Sequence, residues 1–362
     1  NLMAHQVAPA LAVGCPILFK PALETPLTCF EFLKILHECG FTDTQINIVY
    51  CSNVVAESLV QSTRIRFFSF IGSSRVGWHL RSLLAPGVRF ALEHGGTASA
   101  FLEPSVDLTK VGPSLVKSAF YHAGQVCVSL QNLWVHRSIL KETCAVLVDL
   151  VAKLKVGSAL NEDSDLGPLI RKSDQKRIHE WVEEAKTMGA QCLSSAHHGD
   201  CAGEMANELA REVAREISRG VNREIGEEDI RNSSESQIYS GNFYPPTLLL
   251  NPPVHARIRQ LEVFGPVLSV MVYDDLHEAI REHNQSSWSL HASIFTQDLA
   301  AVNFAIRRLK ATAVLVNEVP TFRVDWMPFY GDEQSGFSKG GVPFTMRDYL
   351  KEKLVVIKNA EF

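Results

Sequence analysis

Residues 1–95 alternate between two periodicities. Stretches with helical spacing fall at 2–13, 26–39, 54–61 and 75–84, and between them lie the short apolar runs "PILFK" (16–20), "INIVY" (46–50) and "RFFSFI" (66–71). Apolar runs this short, each followed by an amphipathic stretch, suit parallel strands, because parallel neighbours need a crossover and a helix supplies it. This part is predicted to be a doubly wound, dinucleotide-binding layer. The alternation continues with a helix over 112–123, a strand at 132–136 and helices over 138–154 and 172–188, the last carrying Ile178, Trp181, Val182 and Ala185 on one face. A second α/β domain is predicted over 96–340, and "KLVVIKN" in the segment 341–362 is predicted to be an apolar strand.

Residues 195–241 interrupt the pattern. Met205, Leu209, Val213, Ile217, Val221 and Ile225 recur every four positions, so their stripe winds around a helix, and pairs such as Glu208/Arg211 and Glu212/Arg215 suit a solvated surface. An inserted surface helix is expected, with partner binding as the alternative. "AHHGDC" (His197, His198, Asp200, Cys201) has metal-ligand residue types but no second cluster, so a solvated loop and no metal are expected.

With 46% apolar residues the 362-residue chain can bury a large core, and a net charge of −5 provides no general attraction to nucleic acid or anionic membrane. The apolar runs are too short to cross a bilayer. Eight scattered cysteines without a C-x-x-C pair predict free thiols in a reducing compartment, the cytoplasm. A small soluble substrate is the expected partner.

Four local features could carry chemistry. Cys127 in "FYHAGQVCVSLQ" lies between two valines, and the residues alone leave open whether it is a nucleophile or a small buried hydrophobe. Glu93 in "ALEHGG" ends an apolar strand, where partial burial would raise a carboxyl towards neutrality and make it a general base; a solvated strand end is the alternative. In "FFSFIGSSRVG", Gly72, Ser73 and Gly77 place a strand-to-helix turn where backbone N–H groups can hold a pyrophosphate. Lys20 in "ILFKPA" stands at a strand's carboxyl end, the edge that faces the ligand crevice in open α/β sheets.

"NLMAHQVAPALAVGCPILFKPALETP", "FSFIGSSRVG", "ALEHGG", "HAGQVC", "LKVGSALNEDSDLGPLI", "LEVFGPV", "HASIFT" and "MPFYGDEQSG" together, and in this order, resemble the aldehyde dehydrogenase superfamily. The resemblance implies an α/β fold with a Rossmann-type cofactor domain, here partial, an α/β catalytic domain and a C-terminal strand that joins subunits into a dimer or tetramer. It implies oxidation of an aldehyde to its acid with NAD or NADP. Cys127 would be the nucleophile and Glu93 the base that activates the hydrolytic water. Lys20 and Glu262 would hold ribose hydroxyls, Phe264 would pack near the nicotinamide ribose, Gly72 and Ser73 would meet the pyrophosphate, and Asn317 would lie by the substrate channel.

The sequence also departs from the family's pattern. The chain enters its first helix at once, whereas the family's oxyanion-hole asparagine and first cofactor strands lie upstream of such a helix, so a truncated chain is expected; one missing oxyanion donor costs about 10²- to 10³-fold in turnover. Leu23 stands where an acidic ribose ligand is common, which admits NADP beside NAD. Gly340 stands near the place of a second, water-relaying glutamate. "TFRVDWMPF" offers Arg323, with Asp325 beside it, as a partner for an anionic substrate group and Trp326 as a channel wall. Two other readings stay open: an inactive member acting as an interaction or assembly module, and a cofactor-independent esterase at Cys127.

Overall fold

The structure, a computed structural model, describes residues 1–194 and 241–358. The expected helix over 203–231 and the "AHHGDC" loop lie outside the described residues. The chain divides into two compact units, one formed by residues 1–94, 323–331 and 336–362 and the other by residues 95–322 and 332–335.

In the first unit the helices are α1 (Leu2–Ala12), α2 (Leu27–Glu38), α3 (Asn53–Val60) and α4 (Ser74–Ser82), and the strands are β1 (Ile17–Phe19), β2 (Ile46–Ile48), β3 (Phe67–Ile71) and β4 (Arg89–Glu93). β1 and β2 pair in parallel, as do β3 and β4, and the two-residue strand Gly336–Phe337 joins β4 antiparallel. The register puts Glu93 opposite Ile71 on one side and Gly336 on the other. The carboxylate is therefore fixed at the end of a three-stranded sheet from which β3 leads directly into α4. A C-terminal helix, Val342–Tyr349, packs on α1. Residues 351–358 carry no strand pairing, and Leu354 (87% exposed), Val355, Val356 and Ile357 face solvent.

The second unit is built on β5 (Ser99–Leu102), β6 (Asn132–His136), β7 (Gln191–Ser194), β8 (Thr247–Leu250), β9 (Val267–Tyr273), β11 (His291–Phe295) and β12 (Ala313–Val316), with β10 (Trp288–Ser289) outside this sheet. Their order is β12-β11-β5-β6-β9-β8-β7, parallel throughout except for β7 at one edge. Every residue of β5, β8 and β11 is buried, as strands covered on both faces must be. One core joins this sheet to α5 (Leu108–Phe120) and α6 (Leu140–Ala152); another joins it to the helices Leu276–His283 and Leu299–Arg308. A third core groups Ile178, Trp181, Val182 and Ala185 of α7 (Lys172–Thr187) with Ala123, Val263 and Val267. That helix face therefore supports the two loops that carry Cys127 and Glu262. Among the described residues no helix is long and apolar enough to cross a membrane.

Candidate active site

In the second unit Cys127 follows a left-handed run, with His122, Ala123 and Gly124 all at positive φ. Such a run is costly for residues with a Cβ and persists where the surroundings enforce it. Gly124 is enforced twice, by φ of +70° and by the Gly265 carbonyl, which occupies the space a Cβ would need. Gln125 fixes the loop beyond: its Nε2 donates to the His122 and Pro168 carbonyls at 3.1 and 3.3 Å, and its Oε1 accepts from the Ile170 N–H at 3.0 Å. A turn closed by Ser129 N–H donating to the Val126 carbonyl (3.0 Å) then presents Cys127, half-buried.

Gln131 fixes the opposing segment. Its Nε2 donates to the carbonyls of Ile258 and Leu261 (3.1 and 2.9 Å), and its Oε1 accepts from the Val263 N–H (2.9 Å). Glu262 is thereby held against the Gly95-Gly96 turn, so close that a Cβ on Gly95 would overlap its carboxyl. Desolvation raises the Glu262 carboxyl to about 7, against the pull of a Gly96 N–H bond and the Arg177 charge. Its Oε1 is buried without a hydrogen-bond partner. Phe264 follows at φ +48° and is 40% exposed. Val126, Ser129, Gln131, Glu262 and Phe264 line one cavity of about 10 Å³. The cysteine turn and the Glu262–Phe264 segment thus meet at a single point.

Asn317 is also in this unit, at φ +55° just beyond β12, but its amide is spent on Thr296: Oδ1 accepts from the Thr296 N–H (2.9 Å) and Nδ2 donates to the Thr296 carbonyl (3.0 Å). Its side chain pins the end of β11.

In the first unit Glu93 is half-buried. Desolvation raises its pKa, and the Arg323 charge works against that shift. Arg323 lies over the Phe329 ring, 4.2 Å from its centroid, and its Nε is buried without a hydrogen-bond partner. Trp326 is 75% exposed, and Asp325 Oδ1 accepts from the His5 ring Nε2 at 3.0 Å. The Gly72 N–H donates to the Glu93 carbonyl (3.1 Å), and Ser73 is the N-cap of α4 without a side-chain cap bond, so the first N–H groups of the helix are not taken by that hydroxyl. Gly77 lies within α4 against the His94 ring. Lys20 directly follows β1, and its Nζ donates to the Pro21 carbonyl at 3.1 Å. Lys20, the Gly72-Ser73 turn and Glu93 thus all stand at carboxyl ends of parallel strands.

Each unit, taken by itself, offers one feature suited to part of a dinucleotide. Glu262 Oε1 is a buried acceptor lacking a donor, which a ribose hydroxyl supplies, and the uncapped start of α4 offers N–H donors to a phosphate.

The chain matches the aldehyde dehydrogenase family over residues 1–207 and 201–355. It belongs to that family. It is 30% identical to the 3-sulfolactaldehyde dehydrogenase of Priestia aryabhattai over 99% of this chain and 66% of that enzyme. The chain therefore spans about two thirds of the length of this relative. Among solved family structures, aldehyde dehydrogenase 21 of Physcomitrella patens in complex with succinate superposes with a TM-score of 0.83 at 32% identity, covering 99% of this chain and 66% of that one. The glyceraldehyde-3-phosphate dehydrogenase of Methanocaldococcus jannaschii complexed with NADP gives 0.80 at 27% identity, covering 96% and 68%.

Sequence reasoning missed Gln131, although this side chain sets the position of Glu262. A glutamine in "SLQNL" has no local signature; only its three long-range backbone partners reveal it. It also missed the closeness of Glu262 to Gly95, two motifs it had read separately.

Proposed function

We propose that this chain oxidises an aldehyde to a carboxylic acid with NAD or NADP, through Cys127 and Glu93. The observation that carries the reading is the shared cavity at which the Cys127 turn meets Glu262 and Phe264. In this reading Lys20 and Glu262 hold ribose hydroxyls, Phe264 packs beside the nicotinamide ribose, and the Gly72-Ser73 turn receives the pyrophosphate. The bound nicotinamide supplies a hydride acceptor.

The thiolate of Cys127 adds to the aldehyde carbon, giving a thiohemiacetal. Loss of hydride leaves a thioester on the sulfur. Glu93 then removes a proton from water as that water attacks the thioester carbon, and the acid departs as Cys127 regains its thiolate. The raised Glu93 carboxyl suits this task, since a base works best with a pKa near the working pH.

The aldehyde in this reading carries an anionic group. Arg323 supports it, because its Nε is a buried donor without an acceptor beside the general base. Relatives named for a sulfonated and a phosphorylated aldehyde, and one bound to succinate, agree with that class. We further propose that the chain works as a homo-oligomer joined through residues 351–358.

The test is reduction of NAD or NADP by the purified chain with short sulfonated, phosphorylated or carboxylated aldehydes. Cys127→Ala should abolish reduction, while Glu93→Gln should keep one turnover's worth of reduction per site and lose about 10²-fold or more in steady state. Parent-level activity in Cys127→Ala overturns the reading.

A further inference from the structure

Gly340 packs closely on Glu93 and on the Phe329 carbonyl, which a Cβ at this position would meet at 2.5 Å. A Cβ on Gly340 would come within 3.1 Å of Glu93 Oε1, and beside it lies a cavity of about 10 Å³ lined by Glu93, Ser69, Ser338, Lys339, Asp348 and Tyr349. That volume is about what one water requires, and the lining offers more than the two polar partners a buried water needs.

The polar groups around the cavity are not equivalent. The Tyr349 hydroxyl donates to the Gln6 carbonyl at 3.2 Å, and burial pushes its pKa up to about 12, so it stays a neutral phenol. Ser69 accepts from Gln6 Nε2 at 2.6 Å, which commits that wall to its neighbours. Ser338 differs: its hydroxyl donates to Asp348 Oδ2. It is also held at φ +80°, where a residue with a Cβ is uncommon. The backbone there adopts a costly conformation that keeps on the cavity wall a hydroxyl bonded to a carboxylate of the same wall, and Asp348 is half-buried, so it also reaches solvent.

We propose that Ser338 and Asp348 form the route by which the proton taken up by Glu93 leaves for solvent. The proposal rests on the reading of Glu93 as the hydrolytic base. When Glu93 takes a proton from the attacking water, it becomes a neutral acid and must lose that proton before the next turnover. It gives the proton to a water admitted to the cavity. That water passes one of its own protons to Ser338 Oγ as the Ser338 proton moves to Asp348, and Asp348 releases it to bulk water. No electrons change hands, and every group ends in its starting state. The charged groups that face Glu93 are Arg323, which favours its ionised form, and Lys339 and Asp348 on the cavity wall. Ser338 and Asp348 act through Glu93 and are positioning residues.

The experiment uses the full chain and two assays, steady-state aldehyde oxidation and hydrolysis of an activated ester, whose deacylation also needs Glu93. Ser338→Ala and Asp348→Asn should each slow deacylation about tenfold, a fraction of the 10²- to 10⁴-fold worth of a complete acid–base catalyst. The single-turnover reduction step should be unchanged, and melting temperatures should confirm folding. In the parent the solvent isotope effect on deacylation should depend non-linearly on deuterium fraction, as expected for several protons in flight; in Ser338→Ala the dependence should become linear. Asp348→Glu should restore most of the rate, and imidazole should accelerate Asp348→Asn but not the parent. Parent-like rates and isotope dependence in both variants, with Glu93→Gln defective, overturn the relay alone. Parent-like turnover in Glu93→Gln, or none in the parent, overturns the reading of the site and the relay with it.

Discussion

Glu262 occupies a place where the packing has room for a carboxyl but little for its hydration. Its pKa is raised by burial from 4.5 to about 7, so between these values the folded chain holds a proton that the unfolded chain has released. Stability contributed by this group is therefore complete below about pH 4.5 and is lost as pH rises through about 7, by about 3 kcal/mol at most. Glu262→Gln, which cannot ionise, should melt like the parent at pH 4.5 and higher than the parent at pH 8, a difference that calorimetry at the two pH values measures. The candidate residues could be picked from the sequence because glycine pairs, a cysteine after "HAGQV" and a glutamate just before "VFGP" are local strings. What those residues touch was not. The three bonds of Gln131, the crowding of Glu262 on Gly95 and the Ser338–Asp348 pair each join positions whose spacing in sequence carries no periodic signal.

At the scale of elements, α7 is the support on which the site loops rest. Ile178 is fully buried, and a Cβ on Gly265 would overlap its Cδ1, so the side chain defines the floor under the Gly265-Pro266 turn. Ile178→Ala should cost about 2–5 kcal/mol in a denaturant titration and should loosen the Cys127 and Glu262 loops together. The apolar face of this helix was readable from Ile178, Trp181, Val182 and Ala185, which are indeed buried, together with the polar Gln175. The start of α5 was not. A helix was expected over 112–123, but it spans Leu108–Phe120: the Asp107 side chain accepts from the Thr109 N–H at its start, and it runs through Pro113. The cap lies five residues before the expected start. Strands β1 and β2 likewise came out shorter than the runs "PILFK" and "INIVY", three residues each.

At the scale of the whole chain, alternating periodicities were enough to predict parallel α/β sheets, and the seven-stranded order of the second unit agrees with that class. The order itself was not legible, because pairings such as β5 with β11 join residues nearly two hundred positions apart. The tail behaves differently from every other apolar run: "KLVVIKN" has the composition of a strand, yet residues 351–358 find no strand to pair with. Deleting residues 353–362 should reduce the proposed homo-oligomer to smaller species in light scattering and leave the melting of the isolated chain nearly unchanged; an unaltered mass would remove the tail from assembly. Until something covers them, Leu354, Val355, Val356 and Ile357 are a handhold for chaperones and proteases as much as for a sister chain. In the proposed homo-oligomer the lifetime of a newly made copy is then set by how soon it meets another, and scarcity alone shortens it.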